Sequence, residues 1–207
     1  KRTKAGKEEY TNWLIENEDK VVISNKENNQ INDMLFALSN HIQATEMLQK
    51  CTGFEDEFYF KLGGLDFRAK LDAIDTNNHI IIDVKTCRES FKNGKQFATE
   101  MINYHNAEQV YIYSEAYLNK YKTKPKFYFI CIEKENPFEV QIWDADCLYE
   151  YGKLITTKLL GKHNDLQVKF GDKLWLDESE QMAELPQWAE SQCEEVALIL
   201  DGEELAV

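Results

Sequence analysis

Leu65-Asp-Phe-Arg-Ala-Lys-Leu-Asp72, the polar turn Asp75-Thr-Asn-Asn78, and Ile80-Ile-Ile-Asp83-Val-Lys85-Thr86 together decide the fold. Asp72 and Asp83 stand eleven residues apart, each at the polar end of an apolar run. Ile80-Ile81-Ile82 lacks alternation, as a central strand buried on both faces does. Side chains alternate along a strand, so Asp83 and Lys85 share a face. Two neighbouring strands thus deliver two carboxylates and one ammonium to one corner of a sheet. That arrangement suits a divalent cation, a phosphodiester and an activated water.

Working outward, Glu57-Phe-Tyr-Phe-Lys-Leu is closed by Gly63-Gly64, a good hairpin turn, and Leu65 to Ile74 is the return strand. Upstream, residues 7 to 18 read as a helix with Tyr10, Trp13 and Leu14 on one stripe. Ser24 caps a longer helix running to about Lys50, with Ile31, Met34, Leu35, Leu38, Ile42 and Met47 on its apolar side. Downstream of His79–Thr86, Asn93-Gly94 reads as a turn and residues 96 to 121 as a helix interrupted near Asn106. Lys126 to Ile132 and Phe138 to Trp143 are two more strands, and Asp144 caps a helix from about Ala145 to Leu160. The order ααβββαββα predicts an α/β fold, a mixed sheet flanked by helices. Residues 1–164 are expected to form one domain and 165–207 an acidic C-terminal extension.

The net charge is −13 over 207 residues, but its distribution is uneven. Residues 177 to 207 hold ten Asp or Glu and no Lys or Arg; subtracting these ten charges leaves −3 for residues 1 to 176. The end of the chain reads as a solvated acidic tail. Carboxylates of a metal site explain part of the remainder, because a bound cation inverts the local sign. The five cysteines form no CxxC pair, so a zinc or iron–sulfur site built from local pairs is excluded; reduced thiols in the cytoplasm are expected. No apolar run is long enough to span a membrane and no signal peptide is legible. The chain begins without Met, as a piece of something longer would.

Phosphodiester hydrolysis needs water converted to hydroxide and a leaving oxyanion neutralised, and Mg²⁺ held by carboxylates does both. Asp72 and Asp83 supply hard oxygen ligands, and the backbone carbonyl of Val84 can complete the shell. Lys85 is then placed to position the water or to stabilise charge on the phosphorane. The triplet Asp83-Val84-Lys85 is a weak signal alone; an isolated one is usually a solvated charge pair. Glu18-Asp19-Lys20 is such a case, at a helix end with no strand before it. The spaced Asp72 and the strand context raise the specificity.

With these residues in view, Asp72…Asp83-x-Lys85-Thr86 resembles the PD-(D/E)xK nuclease superfamily, and more narrowly the RecE-type (exodeoxyribonuclease VIII-like) exonuclease domains of phages and prophages. Glu9-Tyr10-x-x-Trp13 and His41-Ile42 are similar to parts of their N-terminal helices. Gly64 followed by Arg68, Lys70 and Asp72 resembles their catalytic hairpin, although Leu71 stands where the family has Pro. Tyr104, Gln109 and Tyr113 are similar to a helix motif, and Leu185-Pro186-x-Trp188 to a closing segment. Members carry a His upstream of these helices, and none precedes His41 here.

The resemblance implies a restriction-endonuclease-like fold, ligand roles for Asp72 and Asp83, and a catalytic role for Lys85. It implies substrate- or water-positioning roles for Gln109 and Tyr113, which are four apart on one helical face shared with His105. A further acid is expected on the first strand, with Glu55 and Glu57 both open. The cofactor expected is Mg²⁺, with Mn²⁺ as a substitute. The activity expected is digestion of double-stranded DNA ends, leaving single strands for an annealing protein in recombination, by a homo-oligomer in the cytoplasm of a bacterial or phage-infected cell. Arg68, Lys70, Arg88 and Lys92, with Lys95, are the candidate phosphate contacts. Two alternatives stand beside this: a structure-specific endonuclease with the same site, and an inactive nuclease-like scaffold. His41 and His79 read more simply as structural and exposed, respectively.

Overall fold

A computed structural model describes residues 4–18, 20–171 and 173. The acidic tail, the Leu185-Pro186-x-Trp188 segment, Cys193 and Asp19 lie outside the described residues. The chain divides after Asn164 into two compact units. The first carries every element that frames the site.

Helices α1 (Lys4–Glu16), α2 (Asn25–Asn40) and α3 (Ile42–Gln49) precede strands β1 (Gly53–Leu62), β2 (Leu65–Asp75) and β3 (Ile80–Cys87). Helices α4 (Gly94–Asn103) and α5 (Asn106–Tyr121) follow, then β4 (Lys126–Glu133), β5 (Val140–Asp144), a 3₁₀ turn at Asp146–Leu148, and α6 (Tyr149–Phe170). The five strands form one sheet in the order β1-β2-β3-β4-β5. Only β3 and β4 run parallel, joined by the α4–α5 crossover; the other neighbours are antiparallel. The mixed α/β sheet flanked by helices is the one the sequence predicts.

Two local expectations need correction. The helix predicted to run from Ser24 to Lys50 is two helices. Ser24 and Glu27 do form a reciprocal capping box. However, His41 leaves helical geometry (φ −84°, ψ 98°), closing α2 and capping α3 by accepting a hydrogen bond at Nδ1 from the Ala44 N–H. His41 is thus structural, as expected. Asn93-Gly94 is not a turn: Asn93 caps α4 through its side chain, and Gly94 is the first helical residue. Tyr10 and Trp13 share a helical stripe as expected, their rings stacked, and Trp13 and Leu14 are exposed.

The sheet is covered on both faces. One core gathers Leu71, Ile74, Ile81, Phe127 and Phe129 with Phe97, Met101, Val110 and Tyr117 of α4 and α5. Phe97 stacks on Trp143 at 4.8 Å between centroids, closing that layer over β5. The other core packs Ala73, Ile82, Ile130 and Ile132 beneath α2 and α3. Ile81 and Ile82 therefore face opposite cores, which is why the isoleucine run shows no alternation.

Helix α5 is pinned by a backbone contact. A Cβ on Gly152 of α6 would lie 1.9 Å from the Ala107 carbonyl oxygen in the first turn of α5. Backbone cannot give way as a side chain does, so Gly152→Ala is expected to destabilise the fold by about 3 kcal/mol. Thermal unfolding followed by circular dichroism checks this: a midpoint lowered by about 10 °C is expected.

Candidate active site

The hairpin sets the geometry. Gly63 (φ 57°) and Gly64 (φ 86°) supply the positive-φ pair that a two-residue turn requires, and β1 pairs with β2 from Leu62↔Leu65 onward. Pairing is continuous except at one place, between Phe54↔Ala73 and Asp56↔Leu71, where Glu55 stands opposite Asp72. Glu55 has φ 56°, so the strand is locally distorted there. On β2 the pleat also slips: Leu71 and Ile74, three apart, belong to the same core.

Strands β2 and β3 pair only over Asp75↔Ile80, Ile74↔Ile81 and Ala73↔Ile82, and then diverge. Beyond that fork the Val84 N–H has no ladder partner on β2. It donates to Asp72 Oδ2 at 2.9 Å instead. Asp72 is thereby fixed against β3, beside Asp83.

Asp83 is 1% exposed. Gln109 Nε2 donates to its Oδ1 at 2.6 Å, and Lys85 Nζ lies 2.7 Å from its Oδ2. Lys85 Nζ also donates to Gln109 Oε1 at 2.9 Å, so the three side chains close a ring. The amide orientation of Gln109 is set by these two partners of opposite demand. Burial pushes the Asp83 carboxyl up to about 6, with the Asp72 charge adding to the rise. Lys85 and the Gln109 hydrogen bond oppose it without cancelling it. Although it is ion-paired, Asp83 Oδ2 receives no well-aligned hydrogen bond. A buried carboxylate oxygen left short of partners beside a second carboxylate fits a divalent cation. Among the described residues no three His, Cys, Asp or Glu side chains gather into a metal-binding group.

Tyr113 lies one turn beyond Gln109. Burial raises its pKa, the carboxylates of Asp83, Asp72 and Glu55 add to this, and a hydrogen bond with Gln109 opposes it. The phenol therefore stays protonated and able to donate. All five residues singled out as catalytic, Asp72, Asp83, Lys85, Gln109 and Tyr113, meet at this fork. His105 does not join them. It sits outside α5 in left-handed geometry (φ 59°) and pairs with Glu108 at 2.8 Å. His79, expected to be exposed, is half-buried and hydrogen-bonded to the Tyr117 hydroxyl at 3.0 Å.

Glu55 and Glu57, left open by the sequence, differ in setting. Glu57 is engaged by Arg68 and by the Tyr59 hydroxyl. Glu55 pairs with Lys70, stands opposite Asp72, and acts electrostatically on Tyr113. Of the two, Glu55 is the one that stands opposite Asp72 and whose charge reaches Tyr113. Counting equal numbers of residues back from Gly63-Gly64 along both strands would have found it.

The basic residues divide likewise. Arg68 and Lys70 are neutralised by Glu57 and Glu55. Arg88, Lys92 and Lys95 are exposed and, among the described residues, have no acidic partner at ion-pair distance. Gln109 bridges acid and base through its side-chain amide. Gln109→Ala is expected to reduce turnover about 10–100-fold with little change in melting temperature, measured as initial rate of DNA cleavage against unfolding midpoint.

A mixed sheet whose forked antiparallel strands bring together an acid and an Asp-x-Lys triplet defines the PD-(D/E)xK nuclease-like class. Residues 3–157 match the family model described as "PDDEXK-like domain of unknown function (DUF3799)", and the chain belongs to that family. Among solved structures it is similar to a "Putative exonuclease" from Eubacterium rectale, at 14% identity and a TM-score of 0.55. That match covers 78% of this chain and 64% of the other, and what it shows is a shared fold. The chain thus spans less than two thirds of that protein's length. Another structure, SSO0001, aligns at 16% identity over 74% of this chain and 86% of its own, with a TM-score of 0.34, too low to carry an argument. No curated protein matches the sequence. Among the described residues no helix is long and apolar enough to cross a membrane.

Proposed function

We propose that the chain is a Mg²⁺-dependent deoxyribonuclease of the RecE type, an exonuclease that hydrolyses phosphodiester bonds from duplex ends. The observation that carries this reading is the closed ring of Asp83, Lys85 and Gln109 at the β2–β3 fork, with Asp72 fixed beside it. Asp72, Asp83 and the Val84 carbonyl would hold the cation. When bound, it lowers the pKa of water and neutralises charge on phosphoryl oxygens.

The chain's own residues do the rest. Gln109 holds Lys85 and Asp83 in one register, so the ammonium does not reorganise as charge develops. Lys85 is a fixed positive charge against the carboxylates and stabilises the pentavalent phosphorus that forms there. Its Nζ lies over the Phe129 ring, 5.7 Å from the centroid. Tyr113 offers a neutral O–H donor to a phosphate oxygen or to the attacking water. Arg88, Lys92 and Lys95, unpaired with acids, are the better candidates for backbone phosphates than Arg68 and Lys70, and DNA binding should weaken steeply with salt.

An oligomer of this chain is part of the proposal. Leu35, Phe36, Ile42 and Phe54, on and beside α2 and α3, are all exposed large apolar side chains. Such clustering is a common mark of a surface covered by a partner. Double-stranded DNA ends, a cytoplasmic setting, a phage or prophage origin and an annealing protein that takes the single strand belong to the same reading.

The test is degradation of linear and covalently closed circular duplex in Mg²⁺ and in EDTA. Loss of the linear DNA alone supports the exonuclease. Cutting of the circle supports the structure-specific endonuclease instead. If neither is cut by folded protein, the inactive scaffold is the better reading.

A further inference from the structure

A cleft of about 570 Å³ opens beside the candidate site, and Lys85 lines both. It runs from the end of β3 toward α4. Arg88 and Lys134 lie on its wall, Met101 contributes apolar surface, and Tyr104 borders it. The volume falls within the ~300–1,000 Å³ usual for small-ligand sites, and a double helix some 20 Å across cannot enter it.

We infer that this cleft seats one unpaired terminal nucleotide of a DNA strand, with Tyr104 stacking on its base and Arg88 and Lys134 facing its phosphate; the inference rests on the nuclease reading above. Three observations converge. Tyr104 is 69% exposed, an unusual place for a large aromatic, and it makes no ring contact among the described residues. Its backbone is nonetheless rigid. It caps α4, its N–H bonded to the Glu100 carbonyl at 3.1 Å, and the next residue turns left-handed into α5. An exposed ring carried on a backbone fixed in this way can serve as a stacking platform for any base.

Charge points the same way. Neither Arg88 nor Lys134 has an acidic partner at ion-pair distance among the described residues, whereas Arg68 and Lys70 on β2 both do. Glu89 and Glu100 also line the cleft. Their charges oppose a continuous track of phosphates and leave room for a single nucleotide unit. The strands β3 and β4 end at this rim, the usual place for a ligand in a sheet with a parallel pair.

The experiment uses a single-stranded oligonucleotide with 2-aminopurine at one terminus, in EDTA so that nothing is cut, with the full chain as wild type, Tyr104→Ala, Tyr104→Phe and Arg88→Ala. A second oligonucleotide carries the fluorophore in its interior. The expected result is quenching of the terminal probe, binding weakened about tenfold by Tyr104→Ala and by Arg88→Ala, and wild-type behaviour of Tyr104→Phe. Absence of quenching with wild type, quenching that survives Tyr104→Ala, or equal quenching of the interior probe overturns the inference. Cleavage in Mg²⁺ is read separately. Tyr104-dependent quenching without cleavage leaves the cleft standing and removes the nuclease reading; cleavage with Tyr104-independent binding does the reverse.

Discussion

Lys85→Ala is expected to lower the rate of DNA cleavage by about 10³-fold while Mg²⁺ still binds. An ammonium is not a metal ligand, so the carboxylates of Asp72 and Asp83 remain available. What is lost is a preorganised positive charge in a poorly hydrated corner, where such groups contribute about 10²–10³ in rate. A second effect follows from the charge balance. Lys85 holds the Asp83 pKa down against burial. Removing it moves Asp83 further up, so the pH at which Mg²⁺ begins to bind shifts upward as well. Calorimetric titration of Mg²⁺ across pH 5.5 to 8, about the range of the shifted group, beside initial rates, checks both parts. Cleavage at the wild-type rate would remove Lys85 from the mechanism.

Asp83→Asn is expected to abolish activity and yet make the metal-free protein more stable at neutral pH. The folded-state pKa of Asp83 is about 6, above its ordinary value of 3.8. A group raised in this way favours the fold fully below the lower pKa, and that contribution is lost as pH rises through the higher one. Between pH 4 and 6 wild type therefore loses about 3 kcal/mol that the neutral amide does not. This figure already contains the Lys85 attraction, because the pKa reflects it. The melting temperatures of the two proteins should coincide near pH 4 and separate as pH rises, with Asp83→Asn the higher above pH 7. Adding Mg²⁺ at pH 7.5 should raise the wild-type midpoint and leave the variant unchanged. Equal pH profiles would mean that the buried charge is compensated in another way.

Both expectations follow from the way the site is built. Asp83 is held charged at a cost that the rest of the core offsets, and Lys85 and Gln109 reduce that cost without removing it. On the proposed function, stability is given up where chemistry needs an ionised, desolvated carboxylate.

Much of this was legible in the sequence because it depends on local rules. Gly63-Gly64 dictates the hairpin, the solid isoleucine run places β3 in the centre of the sheet, and alternation sets Asp83 and Lys85 on one face. The four-residue spacing of Gln109 and Tyr113 puts them on one helical stripe. The register from the hairpin, counted through, also contains the position of Glu55 opposite Asp72.

Other features were hidden for physical reasons. The break at His41 involves neither Pro nor Gly; Ser39-Asn40-His41 is a polar junction whose geometry is set by packing of two helices on the sheet. Asn93-Gly94 is a turn dipeptide by composition, but the Asn side chain finds the Gln96 N–H and starts a helix instead. The Gln109–Asp83 bond spans 26 residues and exists only once α5 lies over the fork. The neutralisation of Lys70 by Glu55 depends on a local distortion of β1 that no periodicity reveals.

The central claim is that the cluster at the β2–β3 fork hydrolyses phosphodiesters with a divalent ion. The most direct measurement is the cleavage rate of an end-labelled linear duplex in Mg²⁺ by wild type and by Asp83→Ala, at matched protein concentration with both shown to be folded by circular dichroism. The account predicts Mg²⁺-dependent release of label by wild type, none in EDTA, and loss of at least about 10³-fold in the variant. Cleavage by Asp83→Ala at a rate comparable to wild type would contradict it, because the buried carboxylate could then play no part in the chemistry.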